Sequence, residues 1–90
     1  MKVRKKISFY GRVQGVGFRY HASHGARGLG LTGFVRNEYD GSVYMEVQGE
    51  DMLIDQLLIN LNNDLYIDID HMDIKTMTIN YEERSFSVRY

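Results

Sequence analysis

Polar and apolar residues alternate from the start of the chain. Val3, Ile7 and Phe9 fall on one face and Arg4, Lys6, Ser8 and Tyr10 on the other, which predicts a half-buried strand over residues 3–12. The period changes to helical between Asp51 and Asn62, where Leu53, Ile54, Leu57, Leu58 and Leu61 form one apolar stripe and Glu50 and Asp51 sit near the positive end. A first helix is predicted from Phe18 to Leu29, although Gly25 and Gly28 each cost about 1 kcal/mol relative to alanine inside it; Gly30 suits its C-terminal cap. Residues 31–37 and 42–48 read as the two strands of a hairpin around the Asp40-Gly41 turn signal, with Val43, Met45 and Val47 alternating on the return. A long strand is expected from His71 to Tyr81, and Phe86, Val88 and Tyr90 alternate in a short last one. The order strand, helix, strand, strand, helix, strand predicts an α+β sandwich in which an antiparallel sheet carries two helices on one face, with an extra C-terminal strand.

Composition narrows the class. Ninety residues without linker, low-complexity tract or internal repeat are expected to form one domain over 1–90. The absence of cysteine excludes disulfides, thiolate metal sites and a cysteine nucleophile, and permits a cytoplasmic location. A formal charge of −1 argues against a broad nucleic-acid surface. Lys2, Arg4, Lys5 and Lys6 make a basic start, but no apolar stretch of signal-peptide length follows and no segment approaches the roughly 20 apolar residues of a membrane span.

The densest chemistry lies in Gly11-Arg12-Val13-Gln14-Gly15-Val16-Gly17-Phe18-Arg19-Tyr20. Gly15 and Gly17 can take backbone angles that turn successive N–H groups into one concavity. Such a nest binds anions, more strongly where a helix starts behind it. Arg19 adds a planar cation able to engage two oxygens of one phosphate. A glycine-containing loop between strand and helix, with a surface arginine, is the other reading of this segment taken alone.

The second cluster is Gly33 to Gly49, in which Asn37 ends an apolar strand just before the turn. Its amide both donates and accepts, so it can hold a water molecule while staying neutral. An asparagine before a turn is also ordinary turn chemistry.

Together these two segments resemble the acylphosphatase family. The first signature is matched by Gly11, Val13, Gln14, Gly15, Val16, Gly17, Phe18 and Arg19; the second by Gly33-Phe34-Val35-Arg36-Asn37, then Gly41, Val43 and Gly49. The resemblance covers nearly the whole chain and sharpens the fold to a ferredoxin-like βαββαβ sandwich. It implies hydrolysis of acyl phosphates, the mixed anhydrides of carboxylic and phosphoric acids. By resemblance, Arg19 and the amides of Gly15, Val16, Gly17, Phe18 and Arg19 bind the phosphoryl oxygens, while Asn37 orients a water for in-line attack. A carboxylate leaves readily, so positioning and charge stabilisation suffice without a strong general acid. The substrate's phosphate can accept the water proton, so no phosphoenzyme, metal or cofactor is implied. The expected partner is a small acyl phosphate, not nucleic acid or membrane, and a monomer is the default. The chain departs from the family pattern in its glycine-rich first helix, and in residues 62–70, which lack the usual glycine-proline turn.

Other residues read as structural. His21 and His24 share a helix face without a third metal ligand. His71 stands among Asp68, Asp70 and Asp73 in a solvated stretch, and the seven tyrosines are scattered. Two alternatives to a free-standing enzyme follow from the same fold: a non-catalytic ligand- or RNA-binding module, opposed by the acidic balance, and an accessory domain of a longer carbamoyltransferase.

Overall fold

In the computed structural model, which describes Met1 to Tyr90, the chain forms β1 (Lys2–Arg12), α1 (Phe18–Gly28), β2 (Thr32–Asn37), β3 (Val43–Glu50), α2 (Asp51–Asn62), β4 (Asp68–Met77) and β5 (Phe86–Arg89). The strands lie in the order β4-β1-β3-β2-β5. Alternation along β1 does what its period requires: Ile7 and Phe9 are fully buried, and they join Val35, Val43, Met45, Val47 and Phe86 from the other strands on one face. Ala22 and Ala26 of α1 and Ile54, Leu57 and Leu61 of α2 close the core from that side, so both helices cover the same face.

Gly25, which costs propensity in α1, has a packing use. A Cβ there would lie 2.9 Å from Leu57 Cδ1 of α2, so any other residue would force that leucine side chain to shift, whereas glycine leaves it in place. Gly30, with φ 71°, follows the C-cap Leu29 as expected for a helix stop.

The four long strands of the sheet pair antiparallel as expected, and the extra strand adds one detail: β5 joins β2 in parallel, so the sheet is mixed. The cause is the route of residues 78–85, which carry the chain from β4 at one edge to the opposite edge. They cross near a single end of the sheet, so β5 must re-enter in the direction of β2.

That crossing also buries Arg4, which lies on the polar side of β1 and yet is only 3% exposed. Its guanidinium donates to Glu46 at 2.8 Å, Glu83 at 2.7 Å and Gln48 at 3.3 Å. Gln48 in turn exchanges hydrogen bonds with the Asn80 backbone at 2.8 and 3.0 Å. Burial alone would disfavour the Arg4 charge, but the Glu83 and Glu46 carboxylates more than offset it and hold its pKa above the ordinary arginine value. For Glu46 burial likewise works against ionisation, and the donors Arg4 and Tyr44 overcome it, leaving the carboxyl below its usual range.

β4 begins at Asp68, three residues earlier than the periodicity predicts, and ends at Met77, where the crossing segment departs. Ahead of it Asp64 organises the turn: its Oδ1 accepts from the N–H groups of Tyr66 at 2.8 Å and Ile67 at 3.3 Å. This side-chain turn organises the segment without glycine or proline. The other carboxylate oxygen lies 3.2 Å from His21 Nε2, bracing the turn against α1. No helix is long and apolar enough to cross a membrane.

Candidate functional site

Antiparallel pairing brings three separate connections to one rim: residues 13–17 after β1, the 38–42 turn after β2, and residues 63–67 before β4. The chain reaches the first of these past a bulge in β4, where Asp70 is the extra residue in the pairing with β1. The register against β4 shifts between Tyr10 and Gly11, and Gly11 has φ 124°, with the Asp68 carbonyl only 2.3 Å from where a Cβ would stand. Any side chain at Gly11 would push the strand pair apart exactly where β1 delivers the loop, which explains the glycine that opens the motif.

Gly15 and Gly17 both have left-handed backbones, with φ of 74° and 81°. Gly17 is the N-cap of α1; no side chain caps the helix, and its first turn contains no acidic residue. The leading amides are therefore left without an internal partner, at the positive end of the helix. Phe18 anchors the start of α1 in the core, with its ring 4.8 Å from that of Phe9.

A cavity of about 310 Å³ opens on this loop, lined by Gly15, Gly17, Phe18, Arg19 and Asn37 among others. The residues singled out in the two motifs, eighteen positions apart at Arg19 and Asn37, thus share one cavity. Val16 is the exception: it lines a neighbouring groove instead and packs partly against the core. Arg19 forms no ion pair, in contrast to Arg4 and Arg36, so its charge is free for a ligand. No acidic or imidazole side chain lines the cavity.

Sequence reasoning missed two contributors. Tyr90 lines the cavity and its ring lies 4.7 Å beneath the Arg19 guanidinium, a cation–π contact that props the arginine over the loop. Alternation in the last residues signals a strand but not its neighbour, and only the parallel pairing with β2 puts this end beside α1. Gln14 is the second. Its Nε2 donates to the carbonyls of Glu38 and Ser42, both at 2.8 Å, and so ties the loop to the turn that follows Asn37.

Compared with known proteins, the chain matches the Acylphosphatase family model over residues 5–88. This chain belongs to the acylphosphatase family. Among its relatives, the acylphosphatase of Oceanobacillus iheyensis is 38% identical over 87 residues, covering 94% of this chain and 96% of that protein. The acylphosphatase of Bifidobacterium longum is 44% identical over 92 residues, covering 97% and 92%. The crystal structure of the acylphosphatase from Bacillus subtilis superposes with a TM-score of 0.89 at 27% identity, covering the whole of both chains. Family membership agrees with the ferredoxin-like architecture and with a hydrolase acting on acyl phosphates.

The three histidines make local side-chain contacts. His21 and His24 pack around Tyr20, with ring centroids 5.3 and 5.6 Å away, and His71 pairs with Asp73 at 2.7 Å. No group of three or more His, Cys, Asp or Glu is placed to hold a metal ion.

Proposed function

We propose that the loop of residues 15–19, with Arg19 and Asn37, is where this member of the acylphosphatase family cleaves acyl phosphates by direct in-line attack of water. The observation that carries the proposal is the convergence of an unpaired Arg19, the uncapped start of α1 and Asn37 on one cavity. The amides of Gly15, Val16, Gly17, Phe18 and Arg19 bind the phosphoryl oxygens, and Arg19 neutralises charge that spreads onto them in the transition state. Asn37 holds the water; its amide oxygen accepts a hydrogen bond from the water while its amide NH2 donates to the phosphoryl group. Because no side chain on the cavity wall is a base of suitable strength, the proton passes to the phosphate itself. The leaving carboxylate needs no protonation, so binding and orientation supply the rate. The same reading describes a single-domain, metal-independent, cytoplasmic monomer.

The RNA-binding alternative is not favoured, and the open face of the sheet argues against it. Phe34, an aromatic residue of that face, is only 5% exposed, with the Arg89 guanidinium 3.6 Å from its ring centroid and Arg36 beyond. Base stacking requires an uncovered ring.

The test is hydrolysis of benzoyl phosphate by purified protein in the presence of EDTA, with a phosphate monoester as control. Chelator-resistant turnover confined to the acyl phosphate is the expected result. Turnover that EDTA abolishes would overturn the metal-independent mechanism, and no turnover by folded protein would overturn the catalytic reading of the cavity.

A further inference from the structure

We infer that the groove beside the loop, walled by Val16, Leu65, Tyr66 and Ile67, receives the acyl group, and that it selects acyl phosphates with a bulky apolar acyl group over those with a small one. The inference rests on the mechanism proposed above and adds the direction in which the substrate lies.

The direction follows from the strand order. In-line displacement places the leaving group opposite the attacking water. Asn37 ends β2, whereas residues 63–67 lead into β4, and β1 and β3 lie between those strands. Water held by Asn37 approaches the phosphorus from the β2 side. The bond from water oxygen to phosphorus forms as the bond from phosphorus to acyl oxygen breaks; the electron pair leaves with the carboxylate, and the water proton passes to the phosphate. The acyl group therefore points toward the β4 side of the rim.

A groove of about 390 Å³ waits there, lined by Val16, Leu65, Tyr66 and Ile67 together with Arg12 and Asp68. Val16 joins the two sites: it belongs to the loop and also lines the groove. Leu65 and Tyr66 are 93% and 72% exposed. A lone exposed leucine means little, but two adjacent large apolar side chains next to a catalytic loop form a patch that a ligand can cover. The turn that presents them is held in place by Asp64, through its two backbone acceptor contacts and His21, so the wall is preformed. Arg12 and Asp68 lie opposite each other in the β1–β4 pairing. They add one charge of each sign to the lining, and Val16, Leu65, Tyr66 and Ile67 supply its apolar part.

The experiment compares benzoyl phosphate with acetyl phosphate, using the wild-type protein and a double variant carrying Leu65→Ala and Tyr66→Ala. The ratio of kcat/KM for benzoyl phosphate to that for acetyl phosphate is expected to fall about tenfold or more in the variant, mainly through a higher KM for benzoyl phosphate. Inorganic phosphate, as a competitive inhibitor, reports on the loop separately. An unchanged ratio would overturn the acyl groove, including the case in which both substrates lose activity equally. Wild-type protein that hydrolyses neither substrate would instead bring down the underlying mechanism, and the groove with it.

Discussion

The side chain of Gln14 reaches across the rim to Ser42: its Nε2 donates to the Ser42 carbonyl at 2.8 Å and, from the same nitrogen, to that of Glu38 at 2.8 Å. The turn is closed in addition by Glu38 N–H donating to the Ser42 carbonyl at 2.8 Å and by Asp40, whose Oδ1 accepts from the Ser42 N–H and hydroxyl. These Ser42 donors hold the Asp40 carboxyl below its usual range. Gln14 therefore sets the separation between the loop and Asn37. Gln14→Ala should lower kcat by about ten- to 100-fold, since small misplacements are costly in an oriented reaction. Gln14→Glu keeps the shape but turns an acceptor toward two carbonyls, so it should be more damaging than alanine; the reverse order in steady-state kinetics would contradict the positioning role.

Arg19→Gln removes the unpaired full charge from the cavity while leaving the core untouched. A loss of about 10³-fold in kcat/KM is expected, in line with other transition-state cations and donors. Inhibition by inorganic phosphate should weaken in parallel. Thermal unfolding should shift little, because Arg19 forms no ion pair and its contact with Tyr90 is at the surface.

Asn37→Ala should separate binding from chemistry. If the amide positions water, kcat falls by about 100-fold while the inhibition constant of inorganic phosphate stays nearly the same. Full turnover in this variant would remove Asn37 from the mechanism.

The Arg4 cluster should matter for stability and not for catalysis. Glu83→Ala leaves a buried guanidinium short of one of its two carboxylates and is expected to cost about 3 kcal/mol. For a domain of this size that lowers Tm by more than about 10 °C. Chemical denaturation measures the loss directly, and activity well below the new Tm should be retained, since the cluster lies at the end of the sheet away from the rim.

Tyr44 and Glu46 predict opposite pH limits. Burial, the hydrogen bond to Glu46 and the charge of that carboxylate push the Tyr44 hydroxyl up to about 12. Its folded pKa lies above the unfolded value of about 10, so this contribution is complete below about pH 10 and is lost as pH rises toward the folded value. Glu46 is shifted down, so its contribution is present above the ordinary glutamate range and disappears as pH falls through the lower folded value. Ultraviolet titration should show a late tyrosine ionisation that Tyr44→Phe removes.

Much of the molecule is legible along the chain. The helical spacing of Leu53 to Leu61, the alternation in β1, the Asp40-Gly41 turn and the left-handed glycines of the loop are encoded among near neighbours, where period and turn chemistry act. Arg19 and Asn37 each sit at the end of an element whose boundary its own neighbours mark, but their roles came from the resemblance of the two motifs to a known family. Tertiary structure alone decides the rest. Arg4 reads as a solvent-facing residue until Glu46 and Glu83, far away in sequence, close over it. Gly25 reads as a weak point in a helix until Leu57 packs against it. The last strand has a period but no stated partner, and only its parallel entry beside β2 brings Tyr90 under Arg19. Periodicity specifies which face of a segment is buried. It carries no information about which distant segment does the burying, because that depends on how strand order and crossing direction satisfy the backbone hydrogen bonds of the whole sheet.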